Sequence, residues 1–584
     1  MTTMQVRIRP SVLLRALRGR RLSVSVLGYT AVLGLVAYLV LAPIALLLLS
    51  VVKPDTNLPT EPGALTLGNL AAVYGDPNTY HLLFNTGVFA VGALVIGLGI
   101  SAVLAWLVEC TNLPLKGFIY ATILIPIAIP GILEALAWIL LLDPRIGLMN
   151  IILRDIVGSH SSTGPFSAYT LYAMILVQSV RIVPPAFLMM AGTFRNMDAS
   201  LEEASRASGR GTGATLFKIT VPLMRPALIA ALIYFLITCI ESFEVPGVLG
   251  LSANVFVFSS RIYYASNPAT GLPEYGVAST LATIVLLIAF AMLFFYSRAT
   301  KTARRYATIT GKGHRVRAID LGRFRFAALA GYFVYLVVTV ILPILILVWA
   351  SLQSYYAPPS ISAAKRISLD AYRSVFSQHD FTVALDHTVV LAVVTATVTA
   401  ALACIVSWYV VRSRMAGRRG LDSLAFLPHS VPSLIIGYTV LFVYLSFPNP
   451  LYGTIWIIMI ALVTKYLAFG SRAMNAAYLQ IDRELEEASA TCGRSSLATF
   501  RRILLPLTAP VVLNTWLWMA MSATRELSAA LVLGTPNNAV LSTLVWQQYR
   551  NGDLAEASVI AIVLIVPTVA LTFLARRFVV KFVR

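Results

Sequence analysis

Charged residues are scarce in this chain of 584 residues, and their scarcity argues against an ordinary soluble protein. They make up 12% of the sequence, whereas hydrophobic residues make up 58%. A typical soluble domain has roughly 25% charged residues. A soluble core cannot bury that much apolar surface, so we expect the bilayer to be the solvent for much of the chain.

Cysteines and catalytic motifs are also few, which excludes several kinds of site. The four cysteines, Cys110, Cys239, Cys404 and Cys492, have no paired spacing, which argues against a disulfide framework or a zinc site. The sequence contains no G-x-x-x-x-G-K-[ST] phosphate loop, no HExxH and no GxSxG. We therefore expect no catalytic residue and no metal ligand set, and we disfavour an intramembrane enzyme. ATP hydrolysis would need a second polypeptide.

The net charge of +20 could indicate nucleic-acid binding, but the pattern of basic residues indicates a membrane. They form short clusters between apolar runs, as the positive-inside rule describes, so we expect no nucleic-acid partner. The clusters lie within residues 7–21, 301–323, 412–419 and 576–584. The apolar run from about residue 22 to residue 52 is too long for a signal-peptide core and is interpreted as a retained first span.

Long apolar segments predict an all-α integral membrane protein with twelve spans, since one span needs about 20 mostly apolar residues. The predicted spans are 24–52, 82–108, 117–141, 167–193, 226–250, 276–298, 326–352, 387–411, 421–447, 451–474, 509–534 and 555–577. An even number of spans with basic ends predicts that both termini are cytoplasmic.

The spans divide six and six, which gives five predicted regions. They are a basic cytoplasmic N-terminus (1–23), a first half (24–298), a basic cytoplasmic linker (299–325), a second half (326–577) and a basic cytoplasmic tail (578–584).

One polar segment occurs twice, once in each half. Residues 201–226 and 485–510 both contain Glu-Ala-Ser, then Gly four positions on, then Ile and Pro, at a constant offset of 284. Asp198 and Asp482 are good helix N-cap residues, and Gly209 and Gly493 suit a left-handed helix end. Each copy therefore predicts a helix of about three turns, a bend at Gly, a second short amphipathic helix and a Pro at the entry to the next span.

These segments, 198–222 and 482–506, resemble the EAA loops of permease subunits of binding-protein-dependent ABC importers. The departures are Ser205 and Ser489 in place of the last Ala, and Val221 in place of Leu. The resemblance implies a fused permease with the type I ABC importer (MetI-like) fold, two six-helix halves about a pseudo-twofold axis, in a bacterial inner membrane. It implies that a homodimeric ABC ATPase contacts six residues: Glu203, Ala204, Gly209, Glu487, Ala488 and Gly493.

The same resemblance implies the remaining partners. A solute-binding protein would deliver the cargo, membrane lipid would surround the spans, and ATP and Mg would be bound by the ATPase, with no cofactor on this chain. The stretches at residues 243–251 and 257–265 are similar to the ferric-iron importer branch, which makes ferric iron the expected cargo. Thiamine, 2-aminoethylphosphonate and polyamine importers share the architecture and remain alternatives. An ion-coupled secondary transporter is the alternative class, in which EAA loops would have no purpose.

Ionisable residues inside spans are costly and usually face protein or water. The resemblance favours Glu241, Glu244, Arg525 and Glu526 as pathway residues, because spans after the EAA loops line the path in that family. Further candidates are Glu134, Arg181, His429 and Lys465. The alternative is structural ion pairing between the halves, for example of Glu241 or Glu244 with Arg525. Prolines in the third, fourth and ninth spans predict kinks.

Overall fold

The computed structural model of the protein describes residues 24–55, 57–195, 197, 204–205, 207–268, 270–303, 319–447 and 450–583. Nearly all of the structure is helical. Within these ranges nine helices are long and apolar enough to cross a membrane, and three bent helix pairs bring the number to as many as twelve. The structure thus confirms the all-α fold and accommodates the twelve predicted spans. The predicted basic N-terminus (1–23) and much of the linker (304–318) lie outside the described residues.

We number the spans in chain order from the N-terminus. Spans 1–12 are Val24–Val51, Pro77–Cys110, Lys116–Ala128 with Gly131–Leu142, Leu171–Arg195, Gly213–Arg225 with Leu228–Glu241, Tyr275–Ala303, Phe324–Ser351, His379–Val411, Arg418–Ser430 with Ser433–Ser446, Ile455–Gln480, Ser496–Thr524 and Leu554–Val583. The shorter helices are Gly68–Gly75, Leu148–Val157, Pro246–Gly250, Leu251–Ala253, Phe258–Ser266, Ile361–Ala364, Asp370–Ser377, Glu484–Thr491, Ser528–Leu533, Pro536–Asn538 and Leu541–Asn551.

Spans 5 and 11 begin and end earlier in the chain than predicted. The sequence predicts helices to residues 250 and 534, but span 5 ends at Glu241 and span 11 at Thr524, each followed by a break and a short helix. Charged side chains lie at both breaks: Glu244 pairs with Arg181 of span 4, and Glu526 pairs with Lys465 of span 10. Pro246 also removes a helix hydrogen-bond donor after the first break.

Spans 3 and 9 bend sharply at equivalent prolines. Their two helical pieces meet at 97° and 112° respectively, with Pro130 and Pro432 immediately before the second piece. Proline has no N–H to donate and disfavours helical geometry in the residue before it, so a break is expected there. Span 4 remains one helix although it contains Pro184 and Pro185.

The two halves repeat each other in detail. Leu115 and Gly417, 302 residues apart, both have positive φ, 58° and 85°, just before spans 3 and 9 begin. The hydroxyl of Thr86 accepts the Phe258 N–H at 3.0 Å, and Thr388 accepts the Leu541 N–H at 2.9 Å. After span 3 the offset falls from 302 to 284, and it is 283 for Phe258 and Leu541, because the first half has a longer loop that contains the helix Leu148–Val157.

The first span of each half crosses over to the other half. Span 1 packs against span 9, and span 7 packs against span 3. Tyr29 of span 1 meets Tyr409 edge to face at 5.4 Å, and the Tyr332 hydroxyl of span 7 lies 2.5 Å from the Thr122 hydroxyl. This exchange interlocks the halves and places much of the hydrophobic core between them.

The end of the linker is fixed on span 2. Ile319 exchanges backbone hydrogen bonds with the chain at Cys110 and Asn112. The exposed Asp320 carboxylate accepts the Gly322 N–H and the Asn112 side-chain amide, and these hydrogen bonds lower the pKa of Asp320.

Candidate functional site

The second EAA loop begins with a short helix. The Asp482 carboxylate accepts the Glu484 N–H at 3.2 Å, but the N-cap position is held by Arg483, so Asp482 lies one residue before its predicted capping position. The helix Glu484–Thr491 has eight residues, so it has about two turns rather than the predicted three. Gly493 follows it with φ of 74°. The Gly493 N–H donates to the Ala490 carbonyl and the Arg494 N–H to the Ser489 carbonyl, at 2.9 and 3.2 Å. These two bonds form a Schellman motif, for which the left-handed Gly is the usual residue.

The segment after Gly493 folds back against this helix and then enters the membrane. The buried hydroxyls of Ser489 and Thr499 lie 2.8 Å apart and join the two legs. The second leg is not the separate helix that the sequence predicts. It continues through a π-helical turn, Phe500–Leu504, directly into the rest of span 11. A movement of the loop therefore reaches span 11 through continuous helix.

The first EAA loop has the same geometry where it is described. Gly209 has φ of 78°, the Arg210 N–H donates to the Ser205 carbonyl at 3.2 Å, and the Ser205 and Thr215 hydroxyls lie 2.9 Å apart. Glu203, like Asp198, lies outside the described residues. The hydroxyl pairs explain why Ser replaces the last Ala of the EAA pattern in both copies: each Ser joins the two legs of its loop.

The predicted docking residues that the structure describes are exposed. Ala204, Gly209, Glu487, Ala488 and Gly493 all lie at the surface, and a Cβ built on Gly209 or Gly493 would meet no atom within 4 Å. This exposure is what a docking surface requires. Contact with an ATPase stays a prediction.

Sequence reasoning missed the residue that anchors the second EAA helix. Arg412, at the end of span 8, has a side chain that is only 5% exposed. Its Nη2 donates to the carbonyls of Tyr478 and Ile481, at 2.6 and 2.7 Å, and its Nε lies 2.9 Å from Glu486 Oε1. One guanidinium thus connects span 8, the end of span 10 and the EAA helix. In the sequence Arg412 is one of four basic residues within 412–419, and nothing there sets it apart from the other three.

The charged residues within the spans form ion pairs inside each half. Arg181 of span 4 pairs with Glu244 after span 5. Lys465 of span 10, at the position equivalent to Arg181, lies 3.2 Å from Glu526 after span 11. An ion pair of this kind therefore occurs in both halves. Relative to the offset of 284, Glu526 lies two positions earlier in the chain than the residue equivalent to Glu244.

The surroundings of the two pairs differ at one residue. In the second half, the Ser433 hydroxyl donates to the buried Glu526 carboxylate, which also accepts the Tyr466 hydroxyl at 3.2 Å. The equivalent of Ser433 in the first half is Gly131. A Cβ at Gly131 would overlap the carboxylate of Glu244 and the guanidinium of Arg181. The first half has Gly where the second half uses a hydrogen-bonding Ser, and a side chain at this position would require the ends of the Glu244 and Arg181 side chains to shift.

The suggested ion pair between the halves was wrong. Among the described residues Arg525 has no carboxylate of Glu241 or Glu244 within 4.0 Å. Instead the Arg525 guanidinium donates to the carbonyl of Ile127, at the bend of span 3 in the other half. The cross-half contact exists, but its acceptor is a backbone carbonyl.

The remaining pathway candidates, Glu134 and His429, contact neighbouring side chains. Glu134 is buried and lies 3.8 Å from Arg181, and His429 stacks near Phe426 and Tyr234. Within the part of the chain that the structure describes, no three His, Cys, Asp or Glu residues are grouped so that they could hold a metal ion.

Comparison with known proteins finds similar permeases. The ferric transport system permease protein FbpB of Actinobacillus pleuropneumoniae is 26% identical over 412 residues, which cover 69% of this chain and 58% of that protein. The putative ferric transport system permease protein FbpB 1 of Haemophilus influenzae is 24% identical over 552 residues, 88% of this chain and 84% of that protein. A solved bacterial transporter for alginate import matches with 19% identity and a TM-score of 0.35, covering 43% of this chain and 94% of that one.

Family membership follows from the extent of the match. Residues 11–305 and 399–584 match the family described as "Binding-protein-dependent transport system inner membrane component". The first matched segment spans the first half and the second covers most of the second half, in agreement with the repeated spans and EAA loops. That family is a membrane transport component rather than a catalytic enzyme. The chain belongs to this family of binding-protein-dependent inner membrane transport components and is a multi-pass permease subunit with two fused halves.

Proposed function

We propose that the chain is the permease of an ATP-driven importer whose two EAA loops engage the two copies of a homodimeric ABC ATPase. The observation that carries this proposal is the pair of exposed loops in which Gly209 and Gly493 share the left-handed conformation and a Ser hydroxyl joins the two legs. Glu203 and Glu487 would pair with basic groups of the ATPase. Gly209 and Gly493 would allow close approach of its backbone. ATP and Mg would be held by the ATPase.

The proposed motion follows from how the loops are attached. The second EAA loop continues into span 11 without a helix break, so closure of the ATPase pair would move span 11 with it. The crossed spans 1 and 7 would keep the halves together while the path between them opens alternately to each side. The Arg525 contact with the Ile127 carbonyl joins the halves near the bend of span 3 and would be remade in each cycle.

We assign different roles to the intramembrane charges. Glu244 and Glu526 each pair with a basic residue of their own half, which supports a structural role that fixes the breaks after spans 5 and 11. Glu241 has no ion pair within 4.0 Å among the described residues, and Arg525 donates to a backbone carbonyl. We therefore propose Glu241 and Arg525 as the residues of this group that face the pathway.

The proposed cargo is ferric iron, delivered by a solute-binding protein on the outer face. The names of the two relatives that match most of this chain support iron. In this proposal the binding protein is the chief chelator, and the permease passes the ion on. The termini would lie in the cytoplasm with the EAA loops, because basic residues cluster on that side. In the structure Arg483, next to the second EAA helix, donates to the carbonyl of Val411, the last residue of span 8 before the basic loop.

Reconstitution in vesicles tests this function. We expect uptake of radioactive iron only when the ATPase, ATP and iron-loaded binding protein are all present. Gly493→Asp should abolish co-purification with the ATPase and uptake, because it adds a charged side chain to the docking surface. Gly158→Asp is the matched control: Gly158 is also exposed with positive φ and open surroundings, but lies in the loop between spans 3 and 4. Uptake without the ATPase would instead support an ion-coupled secondary transporter.

The cargo requires a separate test. The cognate binding protein should retain ferric iron through gel filtration, and its iron-loaded form should stimulate ATP hydrolysis by the reconstituted complex. Retention of thiamine, 2-aminoethylphosphonate or a polyamine in place of iron would overturn the iron assignment and leave the ATP-driven importer intact.

A further inference from the structure

An arginine-lined cavity lies beside the second EAA loop, where spans 8 and 10 end and span 9 begins. It has a volume of about 330 Å³, which is within the usual range for small-ligand sites. Its charged lining consists of Arg418, Arg419, Arg483 and Asp422. Three guanidinium groups around one carboxylate give the cavity an excess of positive charge.

Hydrogen bonds at the wall hold two of these arginines in place. Arg418 Nη1 donates to the Ser413 carbonyl at 2.8 Å, and Arg483 Nη2 donates to the Val411 carbonyl at 3.3 Å. Arg418 and Arg419 also begin a nine-residue helix, so its unpaired N–H groups and dipole favour an anion at this place.

The carboxylate in the lining does not neutralise these arginines, because it has partners of its own. Asp422 lies 3.3 Å from Arg472 and accepts the side-chain amide of Asn475 at 2.9 Å. Arg472 thus compensates Asp422 from span 10. The cavity therefore retains its positive charge.

In the first half an ion pair occupies the place that is equivalent to this cavity. At the positions of Val411 and Leu479 the first half has Glu109 and Arg195, which form an ion pair at 2.9 Å, and Tyr120 replaces Asp422. The Tyr120 hydroxyl contacts both members of that pair. These charges satisfy one another, so within the described part of the first half no arginine cavity occurs at this place.

We propose that this cavity binds the phosphate group of an anionic lipid. Guanidinium groups recognise phosphate through paired, charge-assisted hydrogen bonds, and basic pockets between membrane helices suit anionic headgroups. The apolar part of the lining favours a lipid over a free ion: Val411 borders the cavity, and Leu479, at the end of span 10, is 73% exposed. A bound headgroup would contact Arg483, one residue before the second EAA helix, and so would affect that loop.

The test uses the purified full-length chain in a nonionic detergent and native mass spectrometry. We expect saturable binding of one phosphatidylglycerol per chain, at least tenfold tighter than binding of phosphatidylcholine. The double variant Arg418→Gln/Arg483→Gln should weaken phosphatidylglycerol binding tenfold or more. The control Arg414→Gln/Arg494→Gln removes the same charge from exposed positions that do not line the cavity, and should stay within twofold of the unaltered chain.

Competition with inorganic phosphate identifies the source of the phosphate group. Weak competition, at concentrations far above that of the lipid, supports a lipid site. Equal affinity of the two, with the same dependence on Arg418 and Arg483, would show a free-phosphate site and overturn the lipid assignment. Unchanged lipid binding in the cavity variant, or an equal loss in the control, would refute the site altogether. If the cavity variant bound lipid normally but lost co-purification with an ATPase, these arginines would belong to a protein interface.

Discussion

Replacing Arg412 with Ala should loosen the second EAA helix while leaving the rest of the permease folded. The substitution removes two hydrogen bonds from a charged donor to the carbonyls of Tyr478 and Ile481. It also leaves Glu486 without the cation that lies 2.9 Å away. Both losses affect the junction of span 8, span 10 and the EAA helix.

The magnitude follows from these contacts. A hydrogen bond with a charged group contributes about 1.5–3 kcal/mol, and breaking a buried ion pair costs about 3–5 kcal/mol. The Glu486 side chain is 23% exposed, so water screens part of its charge. We therefore expect the lower end, about 3 kcal/mol in the free energy of local opening, which is roughly a hundredfold increase in the open population.

Amide hydrogen exchange measures this opening directly. The amides of residues 484–491 should exchange up to about a hundredfold faster in Arg412→Ala, whereas those of span 10 before residue 470 should be unchanged. Arg412→Lys keeps the charge but lacks the fork that reaches both carbonyls and Glu486 together, so its effect should be intermediate. Arg414→Ala, an exposed neighbour, is the matched control. Equal protection of residues 484–491 in Arg412→Ala and Arg414→Ala would refute the anchoring role.

Three further predictions concern residues inside the membrane and the packing of the two halves. Gly131→Ala should lower the apparent unfolding temperature in detergent, because overpacking typically costs about 1–3 kcal/mol of folding free energy. Gly192→Ala is the control, since Gly192 has open space around it and its substitution should not lower the unfolding temperature. Equal unfolding temperatures of the two variants would contradict the close packing at Gly131. Glu526→Gln should cost about 3 kcal/mol of stability through its ion pair, whereas Glu241→Gln should change transport more than stability; the reverse pattern would exchange their proposed roles. Cutting the chain within residues 304–318 should give halves that are stable only when co-expressed, because spans 1 and 7 pack on opposite halves, and a stable isolated half would refute this dependence.

The sequence predicts the number of spans well, because apolar length is a property of each segment alone. The left-handed ends of the EAA helices were also predictable, since Gly at a helix end indicates that conformation without tertiary information. Gly493 and Gly209 confirm it. The helix lengths were less predictable: the EAA helix is a turn shorter than expected, and its second leg continues into span 11.

The sequence could not show which residues the charged side chains contact. Glu244 has two basic residues within plausible reach, Arg181 and Arg525, and only the three-dimensional packing shows that it pairs with Arg181. The breaks after spans 5 and 11 were missed for the same reason, because local apolarity continues through them. Arg412 was missed because its role depends on carbonyls that lie more than sixty residues away in the chain.

The internal repeat shows where the two halves have diverged. Backbone features are retained: the bends of spans 3 and 9, the left-handed residues before them and the Gly-terminated loops. The side chains that support them differ, with Gly131 in place of Ser433 and Cys110 at the position equivalent to Arg412. Two identical ATPase subunits would require equal backbone surfaces from the loops, but they would not require equal supports behind those surfaces. We therefore infer that variants at equivalent interior positions of the two halves will have unequal effects.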